Sequence, residues 1–260
     1  PLRARQEGGM IVMKSMSPFV LAAVLAAVLA LAAAAPAQSL AQDYAAIVAA
    51  PDRGEADRQT DQRRDPVKLL AFIGVKSDMT VLDVGAGGGY STELMARAVG
   101  PGGTVYGQDY ETSPRAKERF EARIKTDAMK NVVVLARPFD DPVPAEVRDL
   151  DVITFFFFYH DTTYMAVDRA AMNKKLFAAL KPGGFLIIAD HSAKPGSGTS
   201  VGKTLHRIEE SALKSEVEAA GFKLAGEADF LRHPEDPRGE PGFRPKVPVG
   251  EFVLKFHNPR

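Results

Sequence analysis

Residues 80–93 read TVLDVGAGGGYSTE. Val81, Leu82 and Val84 form a short apolar run, interrupted by Asp83 just before the glycines, the pattern of a buried parallel strand that ends in a tight turn. Gly85, Gly87, Gly88 and Gly89 carry no Cβ, so the backbone can turn sharply and approach a ligand closely. Ser91 and Thr92 are placed to cap a following helix, whose inner face is Leu94, Met95 and Ala98. Strand, glycine turn and helix together predict a nucleotide-type site at the carboxyl edge of a parallel sheet.

The spacing of the glycines discriminates between ligands. A dinucleotide turn needs G-x-G-x-x-G. Counted from Gly85 the third glycine falls on Tyr90, and counted from Gly87 it falls on Thr92. A nicotinamide-dependent oxidoreductase is therefore disfavoured. The pattern present is D-x-G-x-G-x-G, from Asp83 to Gly89.

Working outward, Asp65-Pro66 is a cap followed by proline in the first turn of a helix. Val67, Leu69, Leu70 and Phe72 give that helix its core face, and Gly74 stops it. Residues 57–65 (DRQTDQRRD) read as a solvated face or linker; the alternative is that Arg63 or Arg64 closes over a ligand. Residues 104–108 are the second strand, with Asp109 at its end, about 20 residues past Gly89, where a carboxylate can accept from both ribose hydroxyls. Residues 131–136 and 149–158 are the third and fourth strands; the latter is apolar on both faces and so central. LKPGG at 180–184 is a turn into a fifth strand, residues 185–189. Residues 222–231 and 249–257 are the last two strands, and the five prolines of residues 233–248 between them mark a long loop or lid. Alternating strands and helices followed by a strand pair specify an α/β sheet.

The ordered set of Asp83–Gly89, Asp109, Asp151 and LKPGG resembles class I S-adenosylmethionine-dependent methyltransferases over roughly residues 65–231. Together with the leader described below and the YHD and DHSA segments, it is similar to a little-characterised group of exported bacterial members. The resemblance implies a Rossmann-like doubly wound sheet of seven strands with the last antiparallel. It also implies S-adenosylmethionine as cofactor, with Gly85, Gly87 and Gly89 against its methionine part. Asp83 would serve its amino group, Asp109 its ribose, and Asp140, after the third strand, its adenine.

At the ends of the fourth and fifth strands stand Tyr159-His160-Asp161 and Asp190-His191. Methyl transfer needs an aligned nucleophile, and a base where the acceptor must lose a proton. His160 is the expected base, oriented by Asp161 or assisted by His191. Tyr159 and His206 are expected to face the substrate. No metal ligand is assigned, although His160, His191 and His206 with Asp161 or Asp190 would form a metal set if the fold gathered them.

The chain has 260 residues with 33 basic and 33 acidic side chains and no cysteine. The charge balance gives no support for a nucleic-acid partner, and the absence of cysteine excludes thiolate chemistry. Lys14, an apolar stretch at 19–35 and small-x-small triplets at 35–37 and 39–41 have the plan of a secretory signal peptide. The expectation is export, to the periplasm after cleavage, or retention by an uncleaved membrane anchor. The chain divides into upstream residues and leader (1–37), an N-terminal helix and linker (38–64) and a methyltransferase domain (65–260). The function implied is methyl transfer to a small-molecule acceptor. The rival from another class is a non-catalytic envelope binding or scaffold protein on the same fold, since the cofactor is made in the cytosol.

Overall fold

A computed structural model describes residues 43–110, 113–243 and 246–260. The leader expected in residues 1–37 lies outside them. Among the described residues no helix is long and apolar enough to cross a membrane.

Among the described residues, three helices, α1 (Tyr44–Val48), α2 (Glu55–Arg64) and α3 (Pro66–Ile73), precede the first strand, β1 (Thr80–Val84). Helix α3 starts as its sequence requires: Asp65 caps Lys68 N, proline occupies the first turn, and Gly74 ends the helix in the left-handed region. Alternation then continues through α4 (Tyr90–Val99), β2 (Thr104–Asp109), α5 (Pro114–Arg123), β3 (Val132–Ala136), β4 (Leu150–Phe156), α6 (Arg169–Ala179) and β5 (Leu180–His191). The chain closes with α7 (Gly202–Leu205), α8 (Glu210–Ala219), β6 (Lys223–Ala228) and β7 (Glu251–His257).

Among the described residues, seven strands form one sheet in the order β3-β2-β1-β4-β5-β7-β6. Strands β1 to β5 pair in parallel, and β7 runs antiparallel to both β5 and β6. This is the doubly wound sheet with an antiparallel last strand that the sequence predicts. One apolar core lies on each face. The first gathers Leu82, Ile153 and Ile188 with Leu176 of α6 and Leu213 of α8. The second gathers Val81, Val152 and Ile187 with Leu70 of α3 and Met95 of α4. Each fully buried aliphatic side chain stabilises the fold by about 1.5–3 kcal/mol, so the central strands carry most of the sheet.

Three local readings need correction. The LKPGG segment is part of β5: Leu180 already pairs with Leu150, and the ladder resumes at Val152 opposite Phe185, so the intervening residues form a bulge. The charge-rich run 57–65 is largely helix α2, with Asp57 buried. It packs by ion pairs: Arg123 Nη1 donates to Asp57 at 2.7 Å, and Arg53 grips Asp61 at 2.7 and 2.9 Å. Ser91 and Thr92 do not cap α4, whose N-cap is Gly89 with no side-chain cap bond.

Candidate active site

The glycine turn is stretched between two buried polar side chains. Asp83, 1 % exposed, accepts from Ser91 Oγ (2.8 Å), Thr92 Oγ1 (2.7 Å) and Thr154 Oγ1 (2.7 Å). Burial raises its pKa, and these three hydroxyls oppose the rise. Its carboxylate thus ties β1 to the first turn of α4 and to β4. Gln108, fully buried at the end of β2, accepts from Gly85 N at 3.1 Å through Oε1 and donates to the Arg137 carbonyl at 2.6 Å. The Gln108 carbonyl also accepts from Ala86 N at 2.8 Å. Neither Gln108 nor Thr154 is visible as a site residue in the sequence, because a lone polar residue in a strand carries no pattern.

Gly85, Gly87 and Gly89 have φ of +68°, +55° and +79°, left-handed values that favour glycine. Their surroundings differ. A Cβ at Gly89 would stand 2.7 Å from Phe120 Cδ2, so this glycine serves the packing of α5 on α4. A Cβ at Gly87 would meet nothing closer than the Gly85 carbonyl at 3.8 Å. Gly87 therefore presents bare backbone to open space.

Two clefts meet at Gly87. The first, about 530 Å3, is an apolar slot between Asp109 and Tyr110 at the end of β2, Val134 and Ala136 of β3, and Phe120 of α5. The second, about 750 Å3, is bounded by Gly85–Gly88, Tyr90, Phe156–Phe158 and the Arg63 and Arg64 end of α2. Arg64 lies against the Tyr90 and Phe157 rings, its guanidinium carbon 5.3 and 4.4 Å from their centroids. Its Nε is enclosed with no hydrogen-bond partner. Burial, with Arg63 beside it, pulls the guanidinium down to about 10, so it remains a cation at neutral pH. The end of α2 is thus a wall of the cleft rather than a linker.

The remaining expected residues are distributed unevenly. Asp109 lines the apolar cleft, where its carboxylate also accepts from Tyr110 N at 2.8 Å. Asp140 lines neither cleft; its neighbour Phe139 turns into the core and stacks on Phe158 at 5.0 Å. Asp151 is at the opposite end of the sheet, where it accepts from Thr80 N at 2.7 Å. Tyr159 is fully buried, with its hydroxyl 2.9 Å from Glu216 and 2.8 Å from Asn173 Nδ2, so it offers no surface to a substrate.

His160 is buried below Asp190, whose Oδ1 accepts from Nδ1 at 2.6 Å while Oδ2 accepts from the backbone N at 2.8 Å. Its Nε2 faces Asp161 Oδ1 at 3.2 Å and His206 Nδ1 at 3.3 Å. Burial alone would depress its pKa, but the Asp190 and Asp161 carboxylates outweigh it and hold the imidazole up at about 10. Both ring nitrogens are thus engaged within the cluster, and His160 lines neither cleft. His191 is paired in register with Glu251 of β7, Nδ1 to Oε1 2.9 Å, and its ring lies 5.4 Å from Phe157. His206 stands at the end of α7, with Asp161 Oδ1 2.9 Å from Nδ1. Phe157, which lines the polar cleft, thus touches both Arg64 and His191.

The strand order, the bare glycine turn at the end of β1 and the carboxylate at the end of β2 are those of the class I methyltransferase fold. Residues 75–227 match the family model described as a methyltransferase domain, and the chain belongs to that family. A curated demethylmenaquinone methyltransferase from Lactococcus lactis is 30 % identical over 125 residues, 48 % of this chain and 47 % of that protein. The chain thus spans about half the length of that relative. Among solved structures, a SAM-dependent methyltransferase from Aquifex aeolicus aligns at 22 % identity with a TM-score of 0.56, covering 78 % of this chain and 96 % of the other. The cyclase SpnF aligns at 15 % identity with a TM-score of 0.55, covering 78 % and 82 %.

Proposed function

We propose that this chain transfers a methyl group from S-adenosylmethionine to a small-molecule acceptor. The observation that carries the reading is the pair of clefts joined at Gly87, one apolar with a carboxylate, the other holding an arginine with an orphaned Nε. That division matches the cofactor's own: an apolar adenine and diol-bearing ribose at one end, an amino-acid carboxylate at the other. Asp109 would accept from the ribose hydroxyls, with Tyr110, Val134 and Ala136 along the base. Arg64 would pair with the carboxylate, and bare backbone at Gly85 and Gly87 lets the chain between lie close. Asp83 acts from beneath, by fixing the turn through three hydroxyls.

The cofactor, when bound, supplies a sulfonium methyl that is already activated. The chain's contribution is to hold the acceptor in line with it and keep water away, and Phe156, Phe157 and Phe158 wall the polar cleft for that purpose. The similarity to a demethylmenaquinone methyltransferase supports a small organic acceptor. The leader-like residues 14–41 support export, which fractionation of cells expressing the full chain would test.

One observation favours the rival reading of a non-catalytic binding protein: among the described residues, no histidine lines either cleft. The test is acceptor-dependent release of S-adenosylhomocysteine, with a demethylmenaquinone analogue among the trial acceptors. Release that requires an acceptor supports methyl transfer. Cofactor binding without release on any acceptor supports the rival, and absence of cofactor binding removes the proposal.

A further inference from the structure

We infer that His160, Asp161 and His206 form a site for a divalent first-row transition ion, separate from the two clefts. The inference stands on geometry and is independent of the methyl-transfer reading. The facing atoms are His160 Nε2, His206 Nδ1 and Asp161 Oδ1, 3.3, 3.2 and 2.9 Å apart pairwise. A tetrahedral ion with bonds of about 2.0–2.1 Å has ligand–ligand edges of about 3.3 Å, so an ion fits against this triangle with small adjustments. The donor set, two imidazoles and one carboxylate, suits Zn2+, Co2+ or Fe2+ rather than Mg2+ or Ca2+, which prefer all-oxygen shells.

The second layer points the same way. Asp190 is fully buried, and a carboxylate only accepts, so the hydrogen on His160 Nδ1 is directed at it. That bond turns Nε2 toward Asp161 and His206 and raises its basicity, the usual carboxylate–histidine support of a metal ligand. The Tyr164 hydroxyl bonds to Asp161 and fixes that carboxylate in turn. His206 is held in place by its own backbone, with φ of +50°, and by the Phe243 ring at 4.8 Å. Its side chain is 30 % exposed, so solvent reaches the site from that side. His191 does not join the triangle: its Nδ1 lies beside Glu251 Oε1 at 2.9 Å, without a hydrogen bond between them. The ion would join the turn after β4 to the end of α7, two segments 46 residues apart.

The test is titration of the chelator-stripped full chain with Co2+, read by visible absorption, and with Zn2+, read by calorimetry and thermal unfolding. The expected result is one equivalent bound, intense low-symmetry Co2+ bands and a rise in unfolding temperature with Zn2+. His206→Ala and Asp161→Asn should each abolish these signals, while far-UV circular dichroism shows them folded and His233→Ala keeps them. Both ligand variants spare the buried His160–Asp190 pair, so loss of binding is not loss of fold. Absence of Co2+ bands and of a Zn2+ effect in the unmodified chain would overturn the inference. So would signals that persist in both ligand variants.

Discussion

The glycine-turn clefts and the histidine cluster occupy the same carboxyl edge of the sheet and are built on opposite plans. At the turn, Gly87 faces open space and Arg64 keeps a buried Nε without a partner. At the cluster, Asp190 takes two bonds from His160, and His160, Asp161 and His206 satisfy one another. An unpaired buried donor costs stability, whereas a mutually bonded network offsets part of its own burial cost. The residue types suggest the reverse, since histidine is the chemically versatile group and glycine the featureless one. At the turn, open backbone offers space to a ligand as it stands; at the cluster, an ion would replace the contacts that the three ligand atoms make with one another.

Breaking the closed network should have the largest effect on stability. His160→Ala takes the imidazole from the fully buried Asp190 carboxylate and leaves it only the backbone N–H bonds of residues 160 and 191, at a cost of about 3–5 kcal/mol. Chemical denaturation should show that loss, while cofactor affinity in the folded fraction stays close to the original. A stable variant with weakened cofactor binding would erase the contrast between the two regions.

Within the turn, the two glycines should separate. Gly89→Ala adds a Cβ 2.7 Å from Phe120 at a φ of +79°, and overpacking with left-handed strain should cost roughly 2–4 kcal/mol. Gly87→Ala meets no such clash, so its stability loss should be limited to about 1–2 kcal/mol of backbone strain. Its cofactor affinity should fall, because the methyl enters the join between the clefts. Equal stability losses would mean that the space over Gly87 is not open.

Arg64→Ala should weaken S-adenosylmethionine by about 10- to 100-fold, the value of one charged hydrogen-bonded contact, with little change in the unfolding midpoint. Decarboxylated S-adenosylmethionine should bind the variant and the original chain alike; a variant that lost affinity for both ligands would place the carboxylate elsewhere. The smallest effect concerns acid. Asp236 pairs with buried Arg207 at 2.7 Å, and although burial pushes its carboxyl up, the guanidinium holds it below its ordinary value. Its stabilising contribution is therefore present above about pH 4, the unfolded carboxyl range, and is lost as pH falls through the lower folded value. The unfolding temperature of Asp236→Asn should fall less steeply in acid than that of the original chain.

The fold was readable where pattern and place coincide. The apolar run into glycines at 81–89 identifies β1 and its turn, and spacing alone leads to Asp109. Helix α2 was hidden because it packs through Asp57–Arg123 and Arg53–Asp61 rather than an apolar stripe, and hydropathy registers those residues as solvated. Arg64 and Gln108 were hidden for the same reason, polar residues whose burial only the tertiary fold creates. The histidines were visible as candidates, but their partners were not: β7 brings Glu251 to His191, and the segment after β5 returns His206 to His160. Those pairings span tens of residues and follow from strand order, which no local window contains.

The central claim is that the turn and the end of β2 together bind S-adenosylmethionine. Calorimetric titration of the original chain and of Asp109→Ala tests it most directly. The account predicts micromolar binding that falls by about 100-fold or more in the variant, from the loss of two ribose hydrogen bonds to a charged group, with unfolding unchanged. Undiminished affinity in a folded Asp109→Ala protein would contradict it.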